Sequence, residues 1–169
     1  MDALHAIHTR RSTRKFKTTP VEERLVEEIL AAAMMAPSAG NEQPWHFIVV
    51  TKNATLKALS KDHLYAACVE KAPLAILVCG DLTADRYQGF WVQDCAAATL
   101  NALTAAHALG LASAWIGIYP RPQRLADMRS VLALPEHIRP FALLPIGYPD
   151  ETKAMEVRFD PARIHHEQW

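Results

Sequence analysis

The sequence predicts a three-layer domain of the α/β or α+β class, formed by all 169 residues. Helical patterns alternate along the chain with short runs that are rich in β-branched and aromatic residues. Several of these runs are apolar at every position, which is typical of strands covered on both faces. No repeat or linker marks a second domain, and roughly 100–200 residues is the usual size of one domain.

The first third of the chain contains two helical patterns and one strand pattern. A short helix is predicted at residues 2–9. A stronger helix is predicted at residues 21–35, because it follows Pro20, carries acidic residues in its first turn and has an apolar stripe. Residues 37–40 (P-S-A-G) end that helix and form a loop. Residues 45–51 (W-H-F-I-V-V-T) then predict a strand.

The alternation continues through the rest of the chain. A short helix at residues 56–60, and another before residue 71, precede a buried strand at 73–79. A long helix at 90–109 ends at Gly110. A strand at 111–118, a helix at 122–132 and a fourth strand at 139–147 follow.

Two features of the sequence favour a homodimer. The helix at 90–109 has almost no charge beyond Asp94, so it is predicted to be buried nearly all round, which one small monomer does not explain. The tail at 148–169 has no strong periodicity, yet it carries Phe159 and Trp169, whereas disordered segments are poor in aromatic residues. We therefore expect the tail to pack on a partner subunit.

Composition limits the function classes. The chain has 18 basic and 18 acidic residues, and this balance argues against a general nucleic-acid or anionic-membrane binder. Cys68, Cys79 and Cys95 form no C-x-x-C pair and are expected to be reduced thiols. No signal-peptide pattern and no apolar stretch of about 18–20 residues is present, so we expect a cytoplasmic protein.

The first motif with chemical meaning is R-R-S-T-R at residues 10–14. Guanidinium groups bind phosphate oxygens in pairs of hydrogen bonds, and hydroxyl groups complete the shell. The segment is therefore a candidate site for a phosphate monoester. For an isolated cluster of this kind, a solvated basic turn is the more common explanation.

Two further motifs could receive a flat ligand. The loop P-S-A-G-N-E-Q-P-W at residues 37–45 is dense in amide and hydroxyl groups, which suit the edge of a flavin or a nucleotide base. In W-I-G at residues 115–117, the glycine permits a close approach of the backbone to such a ligand. Taken singly, each motif also fits an ordinary turn, as does P-I-G-Y-P at residues 145–149.

Taken together and in this order, the four motifs resemble the nitroreductase family of FMN enzymes over nearly the whole chain. The resemblance implies an α+β fold, a three-layer α/β/α sandwich whose homodimer is intertwined by extended termini. It also implies FMN at the subunit interface, with NADH or NADPH as a transient electron donor. The expected partner is a small-molecule electron acceptor, with no nucleic acid and no membrane.

The resemblance also implies roles for particular residues. The FMN phosphate and ribityl chain would be held by Arg10, Arg11, Ser12 and Arg14, with Arg158 returning from the tail to the phosphate. The loop would reach the flavin from the other subunit through Pro37, Ser38, Ala39, Asn41 and Gln43. Ile116 and Gly117 would lie beside the isoalloxazine ring. No catalytic side chain and no metal are implied.

The sequence also departs from the family pattern. Ala39 stands where a second serine is common, so one hydroxyl contact is absent. The chain is short between residues 51 and 73 and after Asp81, which suggests a more open substrate pocket. For the pyrimidine edge of the flavin, Lys61 and His63 are candidates only. The adjacent pair His165 and His166 lacks metal-ligand spacing.

The expected function is hydride transfer from NAD(P)H through flavin N5 to a nitroaromatic, quinone or similar conjugated acceptor, by a ping-pong mechanism. Three alternatives stay open at this point. One is another flavin reaction on the same fold, such as reductive dehalogenation or enoate or dehydroamino-acid reduction. The second is a flavin-binding or storage protein with little turnover, or a relative that cleaves FMN. The third is an interaction domain without a cofactor.

Overall fold

The computed structural model describes residues 1–61, 63 and 65–169. The helices in this part of the chain are α1 (Ala3–Thr9), α2 (Glu23–Met34), α3 (Asn53–Ser60), α4 (Trp91–Ala108) and α5 (Pro122–Leu132). The strands are β1 (Trp45–Val50), β2 (Leu74–Asp81), β3 (Ala112–Ser113), β4 (Ile116–Gly117) and β5 (Ile138–Gly147). Short 3-10 turns lie at Ala39–Asn41 and Pro161–Arg163. The helix predicted before residue 71 falls partly outside the described residues, and the described part forms turns.

Local sequence explains where the helices begin. Asp2 caps α1, since its carboxylate accepts a hydrogen bond from the backbone N–H of His5 at 2.9 Å. Pro122 occupies the first turn of α5, where a missing N–H costs nothing. In α2, Leu25, Ile29 and Ala33 repeat every four residues and form its buried stripe.

The strands form one antiparallel sheet in the order β1-β2-β5-β3, with β4 also paired to β5. The strand predicted at residues 111–118 is split into β3 and β4, although both keep one register against β5: Ser113 lies opposite Ile146, and Ile116 lies opposite Leu143. The residue opposite the break is Pro145, which has no N–H to donate to the neighbouring strand. The prediction of a continuous strand was therefore wrong over residues 114–115.

Helices cover both faces of the sheet, which confirms the three-layer α+β prediction. Leu74, Ile76 and Val78 of β2 pack with α2 and α4, whereas Ala75 and Leu77 pack with α3 and α5. Since successive side chains of a strand point to opposite faces, a strand covered on both must be apolar throughout. All of β2 up to Gly80 is buried, as its sequence predicts.

Helix α4 is buried on one side only within the chain. Cys95, Ala98 and Ala102 face the sheet core and are buried. Leu100 points away from the core and is 53% exposed. The prediction of burial nearly all round is therefore not met by a single chain, because the sheet and α2 cover only part of the helix surface.

The tail lies outside the sandwich. All residues from 154 to 169 are exposed, and the terminal Trp169 stacks on His165, with ring centroids 4.3 Å apart. The expected packing of the tail on a partner stays a prediction.

Candidate functional site

The basic segment of residues 10–14 is held along the edge of the sheet. It leaves α1 in an extended conformation, and Ser12 forms a bridge with Ser113 of β3. The backbone N–H of Thr13 donates to the carbonyl of Ser113 at 3.0 Å. In an extended segment, successive side chains point to opposite sides, so Arg10, Ser12 and Arg14 share one side.

Arg11 is engaged with backbone carbonyls rather than being free for a ligand. Its guanidinium donates to the carbonyls of His8 and Arg10 at 2.9 and 2.7 Å. It also donates to the carbonyls of Ala154 and Glu156 at 3.3 and 3.2 Å. Arg11 therefore fixes the start of the tail against the segment that follows α1.

The contacts of Arg11 bring two other guanidiniums together. Arg10 and Arg158 line a common cavity of about 610 Å³. Arg158 donates to Glu156 at 2.8 Å, whereas no described carboxylate forms an ion pair with Arg10. The pKa of Arg10 is lowered by burial and by the positive charges of Arg158 and Arg11. Glu156 also lines the cavity and pairs with Arg158 but not with Arg10, so the cavity wall keeps a net positive charge, which favours an anion there.

His107, near the end of α4, contacts the end of α1. Its Nε2 lies 2.7 Å from the hydroxyl of Thr9, the last residue of α1. Burial lowers the pKa of His107, and the positive charge of Arg10 lowers it further. A neutral His107 therefore connects α1 to α4 without adding charge to the cavity at neutral pH.

Arg14 opens into a second cavity further along the same segment. This cavity has a volume of about 680 Å³, and Tyr65, Cys68 and Lys71 contribute to its wall. The backbone N–H of Arg14 donates to a carboxylate oxygen of Glu151 at 2.8 Å, which lowers the pKa of Glu151. Burial raises the pKa of the Cys68 thiol, although Arg14 opposes this effect. The cavity wall thus carries both cations and carboxylates, the latter from Asp150 and Glu151, together with the phenol ring of Tyr65.

The Ile116–Gly117 strand is fixed from both sides. It pairs with Leu143 and Ala142 of β5, and the Gly117 carbonyl accepts from the Arg124 guanidinium at 2.7 Å. No described atom lies within 4 Å of a side chain built at Gly117, so the backbone is open to a ligand there.

The two residues considered for the pyrimidine edge differ in their surroundings. Burial lowers the pKa of His63, and the positive charge of Arg124 lowers it further. The groups that act on His63 include Arg124 and the backbone of Gly117, so His63 lies close to both. Lys61 follows the end of α3, and its side chain is exposed.

Residues 37–43, here named the amide loop, adopt a strained shape after α2. Gly40, Asn41 and Gln43 all have positive φ angles, of 51°, 56° and 51°. Such angles are unfavourable for residues other than glycine, so the loop must be held by its surroundings. Ser38 accepts from the backbone N–H of Gln43 at 3.0 Å. Asn41 and Gln43 are exposed, as is Pro37, while Ala39 is half-buried.

The amide loop and the basic segment lie at opposite ends of α4 in one chain. The backbone N–H of Ala39 donates to Asp94 at 3.0 Å, whereas Thr9 contacts His107. Thirteen residues separate Asp94 from His107, which corresponds to about 20 Å along an α-helix. The structure therefore brings Arg10 and Arg158 together, but it brings neither the amide loop nor, by any described contact, Ser12 into their cavity.

Two carboxylates of the site were missed as functional candidates. Asp94 anchors Ala39, and Glu42 accepts from the backbone N–H of Arg86 at 2.6 Å. The signal for Asp94 was visible in the sequence, because it is the one charged residue in an apolar helix. No corresponding signal marks Glu42, since acidic residues in loops are common.

Within the described residues, no three His, Cys, Asp or Glu side chains are grouped so as to hold a metal ion. The described part of the chain also contains no helix with the length and hydropathy that a bilayer crossing requires.

Comparison with known proteins gives the class to which this fold and site belong. The model of the nitroreductase family matches residues 7–77 and 60–148. A relative from Methanothermobacter thermautotrophicus, provisionally named NADH dehydrogenase/NAD(P)H nitroreductase, is 48% identical over 169 residues, covering 100% of this chain and 88% of the relative. The chain belongs to the nitroreductase family, as the four motifs predicted.

Solved structures agree with this assignment. A Parabacteroides distasonis protein with the same provisional name superposes with a TM-score of 0.95 at 36% identity, covering 99% of this chain and 98% of the other. An FMN-dependent nitroreductase from Clostridium difficile superposes with a TM-score of 0.91 at 30% identity, covering 98% and 99%. These likenesses confirm the predicted fold class.

Proposed function

We propose that this chain is an FMN-dependent oxidoreductase that uses NADH or NADPH to reduce nitroaromatic, quinone or similar conjugated acceptors. The observation that carries the proposal is the pair Arg10 and Arg158, held together in one cavity without a described carboxylate on Arg10. A phosphate monoester supplies the missing negative charge and accepts several hydrogen bonds from the two guanidiniums. The names of the relatives, which include an FMN-dependent nitroreductase, support FMN as the source of that phosphate.

The residues of one chain are proposed to hold the cofactor from phosphate to ring. Arg10, Ser12 and Arg158 bind the phosphate, and Arg11 acts through the tail by keeping Arg158 in place. Arg14 lies beyond Ser12 on the same side of the segment, where its positive charge stabilises a reduced, anionic ring. The open backbone at Gly117, next to the buried Ile116, lies against that ring.

The amide loop is proposed to come from a second copy of the chain. Pro37, Ser38 and Ala39 shape the loop, and the exposed amides of Asn41 and Gln43 donate and accept at the heterocyclic edge. Because the loop lies at the far end of α4 from Arg10, one chain does not place both at the phosphate end of a cofactor. Two copies with α4 facing α4 in opposite directions would do so.

Exposed apolar surface supports this homodimer. A groove of about 710 Å³ runs between α1, α2 and α4, and its wall includes Ile7, Met35 and Leu100. All three side chains are more than half exposed in the single chain. The tail offers a second apolar surface that its own chain leaves uncovered, with Val157, Phe159 and Trp169 exposed. Exposed apolar surfaces of this kind mark protein interfaces.

Bound FMN would supply the redox chemistry, taking hydride at N5 from NADH or NADPH and, after the nicotinamide leaves, passing it to the acceptor in a ping-pong sequence. No side chain acts as nucleophile or base in this proposal. We further propose that residues 1–169 act as one domain and that the protein works in the cytoplasm, where three free cysteines would stay reduced.

The visible absorption spectrum tests the proposal. The purified protein, with and without added FMN, should show flavin bands that bleach when NADH or NADPH is added under nitrogen. Bands that persist would favour a storage protein with little turnover. Bands that bleach with no turnover of nitroaromatics or quinones would favour another flavin reaction, such as dehalogenation. A protein that takes up no FMN would refute the proposal.

A further inference from the structure

The cavity that Arg14 lines is separate from the cavity of Arg10 and Arg158. Arg14 follows Arg10 by four residues in an extended segment, a distance of about 13 Å. The volume of the Arg14 cavity is about 680 Å³, within the range of roughly 300–1,000 Å³ that is usual for small-molecule sites. FMN has a single phosphate, which the proposed function assigns to Arg10 and Arg158. An anion in the Arg14 cavity would therefore belong to a second ligand.

The backbone around this cavity is fixed by contacts between two distant parts of the chain. The carbonyl of Lys15 accepts from the N–H of Asp150 at 3.0 Å, and the N–H of Arg14 donates to the carboxylate of Glu151 at 2.8 Å. Phe16 also lines the cavity and is buried. The wall is thus formed before a ligand enters.

The charges of the wall leave a positive excess. Four cations and two carboxylates line the cavity, namely Arg14, Lys15, Lys71, Lys153, Asp150 and Glu151. Glu151 pairs with Lys153, whose Nζ lies 3.6 Å from Oε1. No described carboxylate forms an ion pair with Arg14 or Lys71. These two side chains are therefore available to an anionic ligand.

Cys68 and Tyr65 complete the wall beside these two cations. Burial raises the pKa of the Cys68 thiol, so the thiol is neutral at pH 7 and adds no negative charge. Tyr65 is 65% exposed, which leaves its ring open to stacking. Nucleobases stack on aromatic side chains of this kind. The cavity therefore combines cations for a phosphate with an aromatic ring for a base.

We propose that this cavity binds the adenosine 2′-phosphate end of NADPH, with the phosphate on Lys71 and Arg14 and the adenine on Tyr65. The protein then prefers NADPH to NADH. This inference rests on the proposed function, in which a nicotinamide nucleotide is the electron donor. The two donors differ only in the 2′-phosphate, a monoester with a charge of about −1.5 to −2 near pH 7. The five N–H donors of Arg14 are enough to serve both this phosphate and the flavin ring.

Calorimetric titration of the FMN-loaded protein tests the site without turnover. The probes are ADP-ribose and its 2′-phosphate, which correspond to NADH and NADPH without the nicotinamide. The 2′-phosphate form should bind about tenfold more tightly or better, as expected for one or more charge-assisted hydrogen bonds. Lys71→Ala should remove most of this difference, and Lys71→Arg should retain it. Lys17→Ala is the matched control, since this exposed cation of the same segment does not belong to the described cavity wall.

Steady-state kinetics separates the phosphate contact from the adenine contact. Lys71→Ala should raise the KM for NADPH about tenfold more than the KM for NADH. Tyr65→Ala should raise both KM values by a similar factor, because both donors contain adenine. Equal affinities of the wild type for the two probes would overturn the proposal. A Lys71→Ala protein that behaves like Lys17→Ala would also overturn it.

Failure of the proposed function has a different signature, which is a protein that takes up no FMN. Binding of the 2′-phosphate probe can still be measured in that case. A binding that Lys71→Ala weakens and Arg10→Ala does not would support the cavity assignment independently of the flavin. A binding that Arg10→Ala weakens and Lys71→Ala does not would overturn it.

Discussion

Replacing Arg10 by alanine tests the phosphate site most directly. The side chain is half-buried and is not paired with a described carboxylate, so its hydrogen bonds are available to a ligand. A hydrogen bond to a charged group contributes about 1.5–3 kcal/mol, and relief of the repulsion with Arg158 offsets part of this loss. We expect FMN binding to weaken by about 1–3 kcal/mol, which is roughly 5- to 150-fold in Kd.

The assay is a titration of cofactor-free protein with FMN, followed by quenching of flavin fluorescence at two salt concentrations. Wild-type affinity should fall as salt rises, and Arg10→Ala should show a shallower fall, since one charge fewer meets the phosphate. Lys52→Ala is the control. This exposed cation follows β1, at the opposite edge of the sheet from β3, and its removal should leave Kd unchanged.

The variant Arg11→Ala tests whether Arg11 binds FMN directly or instead holds the tail in place. Its guanidinium already donates to four carbonyls, so the variant should bind FMN better than Arg10→Ala does, while the tail becomes more sensitive to proteolysis. Equal Kd values for Arg10→Ala and the wild type would remove Arg10 from the site and refute the argument from paired guanidiniums.

Three further substitutions test the loop, the interface and the core. Gly40→Ala should destabilise the fold by about 1–2 kcal/mol in denaturant titrations, because φ is +51° and the new Cβ meets the ring of Tyr87. In a Tyr87→Ala background, Gly40→Ala should cost less, and an undiminished cost there would rule out the clash. Leu100→Asp should convert the proposed dimer to monomers in sedimentation experiments. An unchanged dissociation constant of the dimer would mean that Leu100 does not lie in the interface. Leu143→Ala should lower the free energy of unfolding by about 2–5 kcal/mol, and a loss below 1 kcal/mol would contradict its place in the core.

The sequence predicted the layers of the fold well because the signal is local. The unbroken apolar run of β2 and the stripe of α2 both report which faces are covered, and burial agrees with them. The interruption between β3 and β4 was not predictable in the same way. Pro145 is visible in the sequence, but only the register of the folded sheet places it opposite residue 114.

The sequence predicted the motifs of the candidate site but not how the folded chain arranges their side chains in space. The pattern R-R-S-T-R gives no reason to distinguish Arg10 from Arg11, and the difference arises from their alternation along an extended segment. The approach of Arg158 to Arg10 spans nearly the whole chain and depends on the contacts of Arg11 with the tail.

The attachment of the tail at Arg11 fixes where the following residues of the tail start. The last carbonyl that Arg11 holds belongs to Glu156, and residues 157–169 follow it as a segment of 13 residues. A fully extended segment of this length reaches about 43 Å, more than the thickness of a small domain. A segment of this length can cross a neighbouring molecule while residues 154–156 stay beside the proposed phosphate site of their own chain. Folding stability should then rise with protein concentration, because each molecule gains part of its burial from another.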